Sequence, residues 1–229
     1  MPAFNEAAAV GDVVRSVQAV DSAFDVVVVD DGSHDRTADA ARAAGATVLE
    51  LPFNLGVGGA MRVGYRFARE RGYDVAVQVD GDGQHDPGEL PSLVADLAAA
   101  DIVIGARFAG KGDYVAKGPR RVAMRLLARS LSRTCHTPLT DVTSGFRAVN
   151  KRTIGLFAEH YPSEYLGDTV ESLVMAARTG LVVRQRPVAM RPRLAGVPSQ
   201  SPFRASLYLG RALLVLTLAR VRRLPTLPE

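Results

Sequence analysis

Two short acidic segments carry most of the chemistry legible in this sequence. Val26–Val29 runs into Asp30-Asp31-Gly32-Ser33, and Val75–Val79 runs into Asp80-Gly81-Asp82-Gly83-Gln84-His85. In Asp80-Gly-Asp82, two carboxylates one residue apart can converge on a single hard cation. The intervening Gly81 lets the backbone approach a ligand closely. Oxygen donors without a Cys/His cluster point to Mg²⁺ or Mn²⁺, and such ions usually share a second anionic partner, most often a diphosphate. Asp-Gly-Asp-Gly alone reads equally well as a polar turn. Its pairing with Asp30-Asp31 at a second strand end favours a site. A phosphorylated receiver domain also uses strand-end carboxylates, but it would be shorter. It also needs a strand-end lysine, which Lys111, Lys117 and Lys151 do not obviously supply.

Asn54-Leu-Gly56-Val-Gly58-Gly59-Ala60 invites comparison with dinucleotide-binding loops, but Met61 occupies the position of the last required glycine. No Gly-x4-Gly-Lys-Ser/Thr occurs either, so a Rossmann oxidoreductase and a P-loop ATPase are both disfavoured. A looser role is open to Gly58, in a turn that starts a helix near a nucleotide. Tight packing of helix on strand explains each glycine equally well.

The elements that must position these groups are legible as apolar β-branched runs: Val26–Val29, Thr47–Leu51, Val75–Val79 and Ile102–Gly105. Bounded by Asp and Gly, they read as strands buried on both faces. Residues 35–44, 57–71, 87–100 and 119–133 have helical composition. Strand–helix alternation implies an α/β fold with a mostly parallel sheet and helices on both faces, and ligands then bind beyond the carboxyl ends of the strands. The chain opens Met-Pro-Ala-Phe-Asn-Glu and passes directly into a helix-like run, so the first strand is expected to be missing. One catalytic domain is expected over residues 1–200, followed by a C-terminal amphipathic helix and tail over 201–229.

Across 229 residues, 47% hydrophobic and 23% charged, the composition suits a globular domain and excludes collagen, coiled coil and bulk disorder. The charge is segregated. Residues 1–100 carry 16 Asp+Glu against 7 Arg, a net of −9, and residues 101–229 carry 21 Lys+Arg against 8 Asp+Glu, a net of +13. An acidic, cation-holding half and a half that prefers phosphates or an anionic membrane follow from that. The single cysteine, Cys135, provides no intramolecular disulfide and reads as a small apolar residue. With no secretory segment and no run of about 18 apolar residues, a cytoplasmic location is expected.

Five motifs then occur in order: Pro2-Ala-Phe-Asn-Glu6, Val29-Asp-Asp-Gly-Ser33, Asn54-Leu-Gly-Val-Gly-Gly-Ala60, Asp80-Gly-Asp-Gly-Gln84 and Ser144-Gly-Phe-Arg147. Their order and spacing resemble family 2 inverting glycosyltransferases, in particular the dolichyl- or polyprenyl-phosphate mannosyl and glucosyl synthases. The resemblance covers roughly residues 2 to 195. It implies a GT-A fold, a nucleotide-sugar donor of GDP-mannose or UDP-glucose type, and Mg²⁺ or Mn²⁺. By position, Pro2, Phe4, Glu6, Asp30 and Asp31 would grip base and ribose. Asp80 would orient the donor, and Asp82 and Gln84 would hold the metal bridging the diphosphate. His85 reads as a supporting residue rather than a ligand.

A lipid-phosphate acceptor is already an anion, so it needs cations to align it rather than a general base. Arg107, Arg120 or Arg121, Arg147 and Arg193 are the candidates, since the guanidinium fork suits phosphate. Two features depart from the lipid-phosphate pattern. Arg193-Leu-Ala-Gly196-Val-Pro-Ser-Gln200 lacks the lysine usual in that branch, and Asp168 falls near the position of the catalytic base in saccharide-acceptor relatives. Asp168 is therefore either a base toward a sugar hydroxyl or a cap on the helix 169–178. In the arginine-edged segment 203–223 the apolar stretch Leu207–Ala219, 13 residues and broken by Arg211, is too short to cross a bilayer and should lie on an anionic membrane surface at the inner face. Docking on the chain's own core or forming a homodimer is its alternative use. No nucleic-acid partner is expected. A non-catalytic sugar-nucleotide-binding protein is the rival from another class.

Overall fold

A computed structural model describes residues 1–107, 119–163 and 168–191, with the side chains at 119–121 and 123 outside that description. The Arg120 and Arg121 guanidinium groups, Arg193 and the C-terminal helix at 201–229 therefore lie outside the described residues. The elements follow in the order β1 (Pro2–Ala3), α1 (Val10–Gln18), β2 (Val27–Asp30), α2 (Thr37–Ala43), β3 (Thr47–Glu50), α3 (Gly56–Glu70) and β4 (Val75–Gln78). They continue with α4 (Leu90–Ala95), β5 (Ile102–Ala106), α5 (Pro119–Thr134), β6 (Arg147–Asn150), α6 (Lys151–His160), α7 (Asp168–Arg178) and β7 (Val183–Pro187).

Local sequence explains most of them. Val10, Val13, Val14 and Val17 recur at helical spacing and are the buried face of α1. Every residue of β5 is buried, as an apolar run in a covered sheet must be. Along β5, Ile102 and Ile104 enter an apolar cluster shared with α3, α5, α6 and α7. Val103 points the other way, into a cluster with α1 and α4. Helices therefore cover both faces. Burying each Leu, Ile or Phe side chain in these clusters contributes ~1.5–3 kcal/mol.

The strands form one parallel set ordered β1-β2-β3 and a four-stranded set ordered β4-β6-β5-β7. Three of the five strand pairings are parallel, as expected, but β6 runs antiparallel to both neighbours. The chain between β5 and β6 carries α5 and returns β6 in the opposite direction between β4 and β5.

Three expectations are corrected. A first strand is present: Pro2–Ala3 pairs with Val29–Asp30, with the Val29 N–H donating to Met1 O at 2.8 Å and the Asp31 N–H to Ala3 O at 2.9 Å. Only two residues take part, too few to leave an apolar run in the sequence. β3 is not buried on both faces, because Thr47 and Glu50 are exposed at the edge of its sheet. The stretch 87–100 is not one helix; α4 is flanked by 3₁₀ turns at Pro87–Glu89 and Asp96–Ala99.

Candidate functional site

The carboxyl ends of β1 and β2 and the turn after β4 come together at one edge of the fold. A methyl group placed on Gly81 would lie 3.6 Å from Ala3 Cβ and Pro2 O and 3.8 Å from Glu6 Cβ, so Asp80-Gly-Asp82 sits against the Pro2–Glu6 segment. That segment is stitched to the turn after β2. The Asn5 N–H donates to Ser33 Oγ at 2.9 Å, the Glu6 N–H to Thr37 Oγ1 at 2.8 Å, and the His34 N–H to Asn5 Oδ1 at 2.9 Å. Phe4 is partly exposed and meets His34 edge to face.

Asp30 and Asp31 are both buried. Asp30 Oδ1 accepts from the Ser33 N–H at 3.0 Å, closing the turn. Asp31 Oδ1 accepts from the Leu55 N–H at 2.7 Å and so ties the end of β2 to the start of α3. Burial pushes the Asp31 carboxyl above the usual carboxylate range, against the pull of the Leu55 and Gly56 N–H groups.

Asp80 is held from three sides. Gln78 Nε2 donates to its Oδ1 at 3.1 Å, and its own N–H donates to His85 Nδ1 at 3.1 Å. Gly145, in the loop entering β6, passes so close that a Cβ there would lie 2.7 Å from Gln78 Nε2 and 3.3 Å from both Asp80 carboxylate oxygens. His85 is buried and stacked on Phe146 at 4.6 Å, and burial lowers its pKa, so the ring is neutral and accepts at Nδ1. Asp82 is buried, and its Oδ1 accepts from the Gln84 N–H at 2.9 Å.

These residues fit a divalent cation at a diphosphate. Among the described residues no group of three or more His, Cys, Asp or Glu converges as an all-protein cage. Mg²⁺ and Mn²⁺ at phosphates need only one or two carboxylates, with phosphate and water completing the shell. Among the described residues the ion-pair partner of Asp80 is His85 alone, at 3.6 Å, and the Asp80 side chain is 38% exposed. A neutral imidazole leaves that carboxylate's charge available to an incoming cation.

Asp168 opens α7 at the same edge and is 7% exposed. Burial raises its pKa, and Asp80 raises it further, while Arg147 and the Thr169 N–H oppose the shift. Gly58 is buried under this corner rather than lining an open cleft. A Cβ on it would lie 2.3 Å from Pro162 O and 3.3 Å from Asp168 Cβ. The nucleotide-contact expectation for Gly58 is thus replaced by close packing of α3 against residues 162–163. Gly58→Ala is expected to cost ~1–3 kcal/mol through overpacking, seen as a lower Tm. A variant as stable as the parent would contradict that role.

Two arginines expected to meet the acceptor are engaged elsewhere. Arg107 forks onto buried Asp141, with Nε to Oδ2 at 2.7 Å and Nη2 to Oδ1 at 3.0 Å, and also reaches Thr143 Oγ1 at 3.1 Å. Its guanidinium pins the 141–143 loop to the end of β5. Arg147 is 1% exposed. Its guanidinium donates to Ser144 O at 2.8 Å, Ser172 Oγ at 3.0 Å, Val142 O at 3.0 Å and Thr169 O at 3.2 Å. The expectation that Arg147 touches an acceptor phosphate is corrected: it is sealed in, and it clamps the loop before β6 to the first turn of α7. Gln78 and Asp141 carry no sequence signal beyond the placement of Gln78 two residues before Asp80, and Gly145 stands in the Ser144-Gly-Phe-Arg147 motif with nothing in the sequence to show its close approach to Asp80.

The fold, with strand-end carboxylates beneath helices on both faces, is of the GT-A type, as the family match and the likeness to solved structures show. Residues 1–155 match the family described as Glycosyl transferase family 2, and the chain belongs to that family. It is 33% identical over 209 residues to an undecaprenyl-phosphate mannosyltransferase of Micrococcus luteus, covering 88% of this chain and 86% of that protein. It is 32% identical over 163 residues to a polyprenol monophosphomannose synthase of Mycolicibacterium smegmatis, covering 67% of this chain and 61% of that one. Among solved structures, glucosyl-3-phosphoglycerate synthase of Mycobacterium tuberculosis, in complex with Mn²⁺, UDP-glucose and phosphoglyceric acid, superposes with a TM-score of 0.72. That match has 20% identity and covers 98% of this chain and 78% of that one. At that identity the likeness is one of fold.

Proposed function

We propose that this chain transfers a hexose, mannose in the first instance, with inversion from a nucleotide-sugar donor to a polyprenyl phosphate at the cytosolic face of a membrane. The observation that carries the donor half is that Asp30-Asp31 and Asp80-Gly-Asp82 both lie against the Pro2–Glu6 segment. The likeness to two prenyl-phosphate mannosyl transferases supports the acceptor half. Asp82 and Gln84, with Asp80 beside them, would hold Mg²⁺ or Mn²⁺, which when bound supplies counter-charge to the departing diphosphate. The protein's own part is positional. Asp30, Glu6 and Phe4 surround the nucleoside end, and His85 with Gln78 fixes the direction in which Asp80 faces the donor. The acceptor phosphate attacks the anomeric carbon as an anion and requires no proton to be removed.

A thermal-shift screen of nucleotide sugars with Mn²⁺ or Mg²⁺ tests the donor half, because a ligand that binds only the folded chain raises Tm with its saturation. One donor should stand out, and a flat response to all of them would remove the proposal's basis.

The burial and raised pKa of Asp168 favour a second reading, in which this carboxylate deprotonates a hydroxyl acceptor. Asp168→Asn decides between the two. With a phosphate acceptor the variant should keep kcat within about tenfold, with no acid limb unique to the parent. With a hydroxyl acceptor it should lose ~10²–10⁴-fold, and the parent's rate should fall as pH drops through a value above the ordinary carboxylate range. Stability gives a separate reading. A raised folded-state pKa favours the protonated native form, so this contribution is full below the unfolded value and is lost as pH rises through the folded one. Asp168→Asn should therefore melt higher than the parent at pH 7, with the gap closing on acidification.

A further inference from the structure

Gln78 is a polar side chain in an apolar position. It ends β4, is 3% exposed, and shares a strand face with Ala76, which packs against the cluster formed by α3, α5, α6 and α7. Its Nε2 donates to Asp80 Oδ1 at 3.1 Å, while its Oε1 is buried with no hydrogen-bond partner among the described residues. A methionine of similar length would fill the space without burying an orphaned acceptor, so packing alone does not account for a glutamine here. Turning the amide round does not help: Oε1 would then face a carboxylate oxygen, and Nε2 would be the orphan. Gly145 closes the slot from the loop entering β6. A Cβ there would lie 2.7 Å from Gln78 Nε2 and 3.3 Å from each Asp80 carboxylate oxygen, so the bare glycine backbone leaves room for this one arrangement of amide and carboxylate.

We propose that Gln78, walled in by Gly145, is a positioning residue that sets how tightly this edge holds a divalent cation, by fixing the rotation of the Asp80 carboxylate. The proposal rests on the reading that the edge takes Mg²⁺ or Mn²⁺ at a nucleoside diphosphate. The Asp80 side chain is 38% exposed, and a carboxylate so placed, with no anchor, samples several rotamers. A hard cation that demands near-ideal geometry binds best to a carboxylate already turned toward it. One lone pair of Oδ1 is engaged from the interior by the amide, and the others stay available to an ion.

Calorimetric titration of the full chain with GDP and with UDP, each in Mn²⁺ and in EDTA, tests this without any sugar transfer. In the parent, Mn²⁺ should tighten binding of one of the two. Gln78→Met should lower that metal-dependent gain about tenfold or more, the usual effect of removing a group that orients a metal ligand, and leave affinity in EDTA unchanged. The hydrogen bonds of the Pro2–Glu6 and Asp30–Ser33 segments do not involve Gln78, so the nucleoside end should not register its loss. Tm should stay within about 3 °C of the parent, because relief of the buried acceptor offsets the bond lost to a half-exposed carboxylate. Gly145→Ala, whose methyl group would displace the amide, should lower the gain in the same way and carries the test if Gln78→Met does not fold. A parent-like gain in Gln78→Met overturns the proposal and leaves the metal reading standing. Equal losses in Mn²⁺ and in EDTA overturn it too, since the residue would then merely support the edge. No gain from Mn²⁺ in the parent removes the metal reading and the proposal together.

Discussion

Asp82→Asn is expected to lower sugar transfer by about 10²–10³-fold while the fold stays intact. The amide oxygen can still accept the Gln84 N–H, which now lies 2.9 Å from Asp82 Oδ1, so the turn keeps its hydrogen bond and only the charge is lost. A charge aimed at a developing diphosphate acts more strongly in the transition state than in the ground state, and removing one such preorganised interaction typically costs that factor. Binding of the corresponding nucleoside monophosphate should be little changed, because the Pro2–Glu6 and Asp30–Ser33 segments do not move. Asp82→Ala should lose the turn bond too and melt lower. A single-turnover measurement with saturating donor separates the outcomes. Full transfer by Asp82→Asn would remove this carboxylate from the reaction.

The largest stability effect is expected at Arg147. Arg147→Ala would orphan Ser144 O and Val142 O inside the core and leave a cavity the size of a long side chain. Breaking a buried charged network of this kind costs ~3–5 kcal/mol. For a chain of 229 residues that is a fall in Tm of roughly 6–20 °C. Arg147→Lys should not restore it, because an ammonium cannot reach four acceptors that the planar fork spans. Thermal melts followed by circular dichroism check this. If instead Arg147→Lys melts like the parent but shows a raised KM for acceptor, the residue contacts substrate and the clamp assignment fails.

How much of this was legible in the sequence depended on how each residue meets the core. β2, β4 and β5 are continuous apolar runs and announced themselves, as did the acidic turns that end β2 and β4. β6 begins with an arginine and ends with an asparagine, and β7 alternates Val-Arg-Gln-Arg at a sheet edge, so neither carries the composition of a buried strand. α6 was passed over although Asn150 caps it by accepting from the Thr153 N–H at 3.1 Å. Arg147 was misread for a physical reason. Residue type argues that an arginine faces solvent or a ligand, and only the fold reveals three carbonyls and a hydroxyl arranged to receive it. The same limit hid Gly145, whose importance is the space it leaves for Gln78 and Asp80.

The insertion of β6 between β4 and β5 bears on how the chain is made. β4 and β5 are not partners of one another; each pairs with residues 147–150, which are synthesised well after both. An emerging polypeptide can complete the β1-β2-β3 unit early, but the apolar β4 and β5 have no shared neighbour until about 150 residues have left the ribosome. Because the loop carrying Gly145 and the Arg147 clamp arrives with that strand, the edge that holds Asp80 closes in the same late event. Slow or interrupted translation before residue 147 therefore leaves two sticky strands exposed, and substitutions that weaken β6 should reduce yield from synthesis more than they reduce the stability of protein already folded.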